Sequence, residues 1–297
     1  MTAYLSRRLW LPRRQRDPLP GFGLGLGLTL FWLGTLVLLP LLALVSRPWQ
    51  EGLHRGLLAF AHAAHDGRIL SALWVSFGSA VLAALFDLVP GVLIAWALVR
   101  SDIPGRRIID MLVELPFALP TAVVGITMAT LYGPTGWFGA PLARLGVHIA
   151  YSRTGIVLAL MFIGLPFIVR TVAPVLRNLP ADVEEAAAIL GASRAQVLLR
   201  IVLPALHPAL VTAFGMAFAR GIGEYGSVIF IAGNQPFHTE IAPLLVVIRL
   251  QEYDTTGATL IGFVLVAVSL LSLAGISLVR RRLSRGVGYP FLLSVKA

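Results

Sequence analysis

A chain of 297 residues with 57% hydrophobic and only 13% charged residues carries about half the charge of a soluble domain, where roughly 25% is usual, so long apolar segments must be present. The net charge of +10 reads first as basic loops on one side of a membrane, ahead of a nucleic-acid partner. Cysteine is absent and the only lysine is Lys296, which excludes thiol catalysis, thiolate metal sites, disulfides and the phosphate-cradling loop that needs Lys directly after its second glycine.

Residues 1–20 form a basic cytoplasmic arm, with Arg7, Arg8, Arg13, Arg14 and Arg16 around Leu9, Trp10 and Leu11 before Pro18 and Pro20. Residues 21–70 are a first span and an external loop. The apolar run 22–45 can cross a core of about 30 Å and exceeds a signal-peptide core of about 7–15 residues, so a retained helix is expected. Gly21, Gly23, Gly25 and Gly27 recur at period two with no strand before them, which suits a loose helix start or lipid-level packing and not a nucleotide fingerprint. In the loop at 47–70, Leu53, Leu57, Leu58 and Ala61 share a face opposite Arg55 and His62, the pattern of an interfacial helix. His62, His65 and Asp66 have loose metal-ligand spacing, but a histidine pair without a further carboxylate reads as a solvated face.

Residues 71–283 form the core. The second span, 73–99, carries Asp87, Pro90 and Gly91, and a carboxylate at that depth costs about 2.5–3.5 kcal/mol, so it should face the protein interior. A tight cytoplasmic turn holds Arg100, Asp102, Pro104, Gly105, Arg106 and Arg107. The third span, 109–132, starts through Pro116 and Pro120, whose freed carbonyls require cover by protein or a cavity. An external segment follows at 133–154. The fourth span, 155–175, is expected to be broken by Gly164, Pro166 and Pro174; the fifth starts after Pro208 and runs to 231; the sixth covers 257–279 ahead of Arg280, Arg281, Arg282, Arg285 and a cytoplasmic tail at 284–297. Six spans with both termini inside put 17 basic residues on the cytoplasmic side and 6 outside, with Arg220 within a span. The bias supports that orientation.

One polar island, 178–206, interrupts this pattern. Asp182 and Glu185 have the spacing of a capping box, Gly191 can supply a left-handed helix end, and Ser193 with Gln196 repeats the start signal for a second helix that Pro204 should stop. Helix, glycine, helix suits either a DNA-binding helix-turn-helix or a docking element for a cytoplasmic partner. Membrane spans clamp both ends, which denies it a free recognition face and leaves no nucleic-acid partner.

The order Glu185, Ala186, Ala187, three residues, Gly191, nine residues, Ile201, one residue, Leu203 and Pro204 resembles the EAA loop of binding-protein-dependent ABC importer permeases. That resemblance implies an all-α polytopic membrane protein with the type I ABC importer permease fold and six transmembrane helices. It implies that these seven residues couple the chain to a separate ATPase, with Glu185 offering charge, the alanines allowing close approach and Gly191 setting the bend. This chain would then bind no cofactor or metal, and ATP would be used by the partner.

The tracts Gly223–Asn234 (GEYGSVIFIAGN), Arg249–Asp254 (RLQEYD) and Glu114–Gly125 (ELPFALPTAVVG) are similar to T-type permease subunits for sulfate and thiosulfate. Molybdate permeases share the core of the first tract, so molybdate or another oxyanion is the alternative substrate. The resemblance implies a W-type second permease, two ATPase subunits, a periplasmic sulfate- or thiosulfate-binding protein and a bacterial cytoplasmic membrane. Arg220 and Glu224, one helical turn apart, are either a self-neutralising ion pair or a translocation-path site in which Arg220 offers a transient positive charge to the dianion. A secondary transporter or channel would need neither the docking loop nor ATP.

Overall fold

The computed structural model describes residues 22–50 and 52–286, and the described residues are helical without a strand. The arm at 1–20, Gly21, and the tail from residue 287, including Lys296, lie outside them.

The chain divides into two compact units, the first ending at Arg47. In that unit α1 (Phe22–Leu33) runs through a π-turn at Gly34–Leu38 into α2 (Leu39–Ser46). Pro40 is the second residue of α2, and a proline there cannot donate to the preceding turn, so the wider π-turn absorbs the missing bond.

The second unit contains α3 (Leu53–His65), α4 (Gly67–Arg100), α5 (Arg106–Ala118), α6 (Thr121–Tyr132), α7 (Gly139–Arg144), α8 (Arg153–Asn178), α9 (Ala181–Ile189), α10 (Arg194–Val197), α11 (Leu203–Ile222), α12 (Val228–Ile231), α13 (Ala242–Gln251) and α14 (Thr255–Gly286). Five described helices are long and apolar enough to cross a membrane, or six when the bent pair α5–α6 is counted as one span.

Its core is the packing of α4, α8 and α11, where Ala84, Ala95, Leu98, Ile168, Val172, Leu176, Val202, Leu206 and Ala213 form one buried cluster. Small residues allow the backbones to approach, the usual device where lipid supplies no hydrophobic drive between helices. A side chain at Gly91 would strike Ile168, and one at Gly221 would press on Ala80. Asp87 is 1% exposed and rests against Gly164, as expected of a carboxylate that cannot face lipid.

Outside the core, α3 forms at the predicted interfacial position. Of the loosely spaced trio His62, His65 and Asp66, two members bond locally: His65 Nδ1 bonds the Ala61 carbonyl at 2.7 Å, while Asp66 caps α4 by accepting from Arg68 N at 2.9 Å and pairs with Arg249 at 3.0 Å.

Three expectations are corrected. Gly164, Pro166 and Pro174 do not break the fourth span, because α8 is continuous from Arg153 to Asn178 and buries Pro166, Ile168, Val169 and Val172 against its neighbours. The third span is not one helix: Leu119 and Pro120 separate α5 and α6, whose axes meet at 109°. The fifth span does not begin after Pro208 or reach residue 231; the helix runs from Arg194 to Ile222, and α12 is a separate short helix. Sequence reading also left 242–251 without an element, whereas α13 forms there and buries Leu244 and Leu245.

Candidate functional site

The polar island folds as two short helices joined at a glycine. Pro180, not Asp182, occupies the N-cap position of α9, and no side chain caps it. Proline is pre-set for this boundary and needs no donor, so helix formation begins at Ala181 and Asp182 falls in the first turn, where its charge suits the helix dipole. The other end behaves as expected. Gly191 has φ +84°, its N–H bonds the Ala188 carbonyl at 3.0 Å, and the Ala192 N–H reaches Ala187 at 3.0 Å, which is the Schellman arrangement. The Ser193–Gln196 capping box then starts α10, with Ser193 N donating to Gln196 Oε1 at 2.8 Å.

Pro204 does not stop this second helix. A π-turn at Leu198–Val202 includes Ile201 and leads into α11, where Leu203 and Pro204 are the first residues. As at Pro40, the wider turn accommodates the missing N–H. The loop is therefore rigidly continuous with a membrane span.

Glu185, Ala186 and Gly191 are exposed and Ala187 is half-buried. Sequence reasoning missed Glu184, which turns inward and pairs with Arg100 at 2.9 Å, while the Arg100 guanidinium also donates to the Leu179 carbonyl at 2.7 Å. That clamp joins α9 to the end of α4 across 84 positions, so no local signal marks it. Sequence reasoning also missed Ile189 and Leu190, which are 86% and 87% exposed at the end of α9. Their signal was two large apolar residues directly before the left-handed glycine.

Arg220 and Glu224 do meet. Arg220 Nη1 lies 2.7 Å from Glu224 Oε2; the glutamate side chain is 3% exposed and the arginine 36%. The other carboxylate oxygen accepts from Ser227 N and Ser227 Oγ, each at 3.1 Å, so Glu224 organises the turn that follows α11. This turn brings together two of the three tracts singled out in the sequence. A Cβ on Gly125 would lie 2.9 Å from Ser227 Cα, and one on Gly226 would meet the Thr121 side chain. The third tract serves another place: Arg249 pairs with Asp66 and lies 3.5 Å from Asp254, and nearby Arg68 holds the buried Glu240 through bonds of 2.9 and 2.7 Å.

Residues 87–289 match the family described as binding-protein-dependent transport system inner membrane component. The chain is 43% identical to the sulfate transport system permease protein CysT of Escherichia coli (strain K12) over 272 residues, 92% of this chain and 97% of that protein. It is 45% identical to the probable sulfate transport system permease protein cysT of Nephroselmis olivacea over 250 residues, 84% of this chain and 87% of that one. In structure it is similar to a bacterial ABC transporter involved in the import of the acidic polysaccharide alginate, with TM-score 0.71, 18% identity and coverage of 88% of this chain and 96% of the other. The inward-facing MetNI methionine ABC transporter follows at TM-score 0.56 and 17% identity, covering 73% of this chain and 96% of that one. At these identities the structural likeness carries the fold alone.

Proposed function

This chain belongs to the family of inner membrane components of binding-protein-dependent transport systems, and from that premise we propose that it is the permease through which sulfate, with thiosulfate, is imported at the expense of ATP. Its own residues hold no nucleotide or cofactor; two ATPase subunits supply the energy, a W-type permease completes the path, and a periplasmic binding protein delivers the anion to a bacterial inner membrane.

The observation that carries the coupling role is the exposed Ile189 and Leu190 on a loop whose ends are both fixed. Large apolar side chains in water favour a covering surface. Glu185, Ala186, Ala187 and Gly191 flank that patch, and Glu185 can offer a charge-assisted bond to an ATPase arginine. The Glu184–Arg100 pair ties α9 to α4, and the π-turn with Ile201, Leu203 and Pro204 ties α10 to α11. Movement imposed on the loop by ATPase closure is thereby delivered to two spans, which rock the path between inward and outward states. Arg220, 36% exposed while paired with Glu224, offers the dianion a passing site weak enough to release it.

Uptake of radiolabelled sulfate into proteoliposomes holding the whole complex tests the substrate. The expected result is ATP-dependent uptake inhibited by thiosulfate and not by molybdate. Molybdate uptake alone would keep the permease and replace the substrate; uptake without ATP would remove the coupling. The coupling surface has its own test, helped by the absence of native cysteine. Ala186→Cys and Ile189→Cys are expected to crosslink to the ATPase subunit, with ATP changing the yield, and failure of both to crosslink in an assembled complex removes the docking role.

A further inference from the structure

A second charged cluster gathers side chains of α5 and α8. Arg170 sits within α8, eight residues before the helix ends, about 12 Å from its terminus at 1.5 Å per residue. Its guanidinium pairs with Asp110 at 2.8 Å and Glu114 at 2.6 Å, both on α5. These three side chains are 39%, 48% and 59% exposed. Charges at such depth do not face hydrocarbon, so this flank must border water or another subunit.

Beside it is a cleft of about 270 Å³ lined by Leu98, Arg106, Arg107, Asp110, Arg170, Ala173 and Arg177. Four guanidinia therefore meet around one space with a single carboxylate among the lining groups. That carboxylate is engaged by Arg170, and Arg106, Arg107 and Arg177 make no ion pair with a described residue. Like charges held together repel unless an anion sits between them, and planar guanidinium forks match the edges of a tetrahedral oxyanion better than ammonium groups would. Its lining comes from the end of α4, the start of α5 and the last turns of α8, the helix ends next in the chain to the α9–α10 loop and on the cytoplasmic side by the basic-residue bias.

We propose that this cleft is a cytoplasmic-side oxyanion site, occupied by the transported dianion as it leaves the path. The proposal rests on the sulfate-import reading for the identity of the anion. Asp110 and Glu114 hold Arg170 in place and lower the local positive charge, which keeps the site weak and lets the ion depart. A phosphate-headed lipid shares the recognised chemistry, and the test separates the two sources.

The complete complex is placed in nanodiscs of phosphatidylcholine alone and treated with phenylglyoxal, and modification of each arginine is read by mass spectrometry. Sulfate is expected to protect Arg106, Arg107 and Arg177, whereas chloride at equal ionic strength is not. In the Arg107→Gln/Arg177→Gln variant the sulfate concentration giving half-protection of Arg106 should rise roughly tenfold, a loss of about 1.4 kcal/mol. Both arginines are exposed, and size-exclusion chromatography confirms that the variant assembles. Protection that requires anionic phospholipid and does not respond to sulfate would assign the cleft to lipid and overturn the proposal. Equal protection by chloride, or none, would also overturn it. The labelling needs neither ATP nor binding protein, so it can fail while sulfate uptake remains intact.

Discussion

Arg220→Ala should lower the melting temperature of the assembled complex as well as its uptake of sulfate, because the arginine neutralises a glutamate whose side chain is 3% exposed. Removing one partner of a fully buried pair typically costs about 3–5 kcal/mol; here the arginine is 36% exposed and solvent screens the pair, so the loss should fall below that range. Glu224→Gln should be milder, since a glutamine oxygen can still accept from Ser227 N and Oγ and no buried charge remains. The double variant Arg220→Ala/Glu224→Gln is therefore expected to recover most of the stability lost by Arg220→Ala. Uptake separates structure from transport: it should stay low in the stable double variant if the anion passes Arg220, and return if the pair only holds the turn. An unchanged melting temperature in Arg220→Ala would overturn the structural account of the pair.

Gly125→Ala should be comparably damaging for a reason that has nothing to do with charge. Gly125 packs against the backbone of Ser227, with its hypothetical Cβ 2.9 Å from Ser227 Cα. A flexible side chain could swing aside, but a backbone held by Glu224 cannot. Overpacking of this kind costs about 1–3 kcal/mol or more, and here it pushes α6 away from the turn that Arg220 and Glu224 organise. Melting temperature and uptake should fall together. Gly78→Ala, on α4, is the control: a Cβ there meets nothing within 4 Å, and removing a glycine from a helix interior is worth about 0.5–1 kcal/mol in the other direction. Equal loss in both variants would show that the damage does not come from the contact between Gly125 and Ser227.

The second experiment concerns a contact between tracts about 100 residues apart, Gly125 and Ser227, and it marks the boundary of what local sequence could disclose. Gly191 and the Ser193–Gln196 box were legible, since a left-handed glycine and a capping box are complete within a few residues. Asp182 misled because a carboxylate with that spacing also suits the first turn of a helix, and Pro180 already holds the N-cap position. Pro204 misled because a proline forbids one bond locally, whereas a π-turn upstream and buried Val202 and Leu206 make continuation favourable.

What the sequence determined by itself was the membrane-spanning class and the position of the polar loop, together with an expected orientation. Each follows from quantities additive along the chain: apolar length, basic-residue bias and short-range helix signals. Only tertiary structure decided that α8 survives two prolines, that α5 and α6 meet at 109°, that Glu184 and not Glu185 is clamped to Arg100, and that Arg106, Arg107, Arg170 and Arg177 share one cleft. These outcomes depend on which distant surfaces become neighbours, and packing and charge pairing at those contacts outweigh the local preference of a proline or the spacing of a carboxylate.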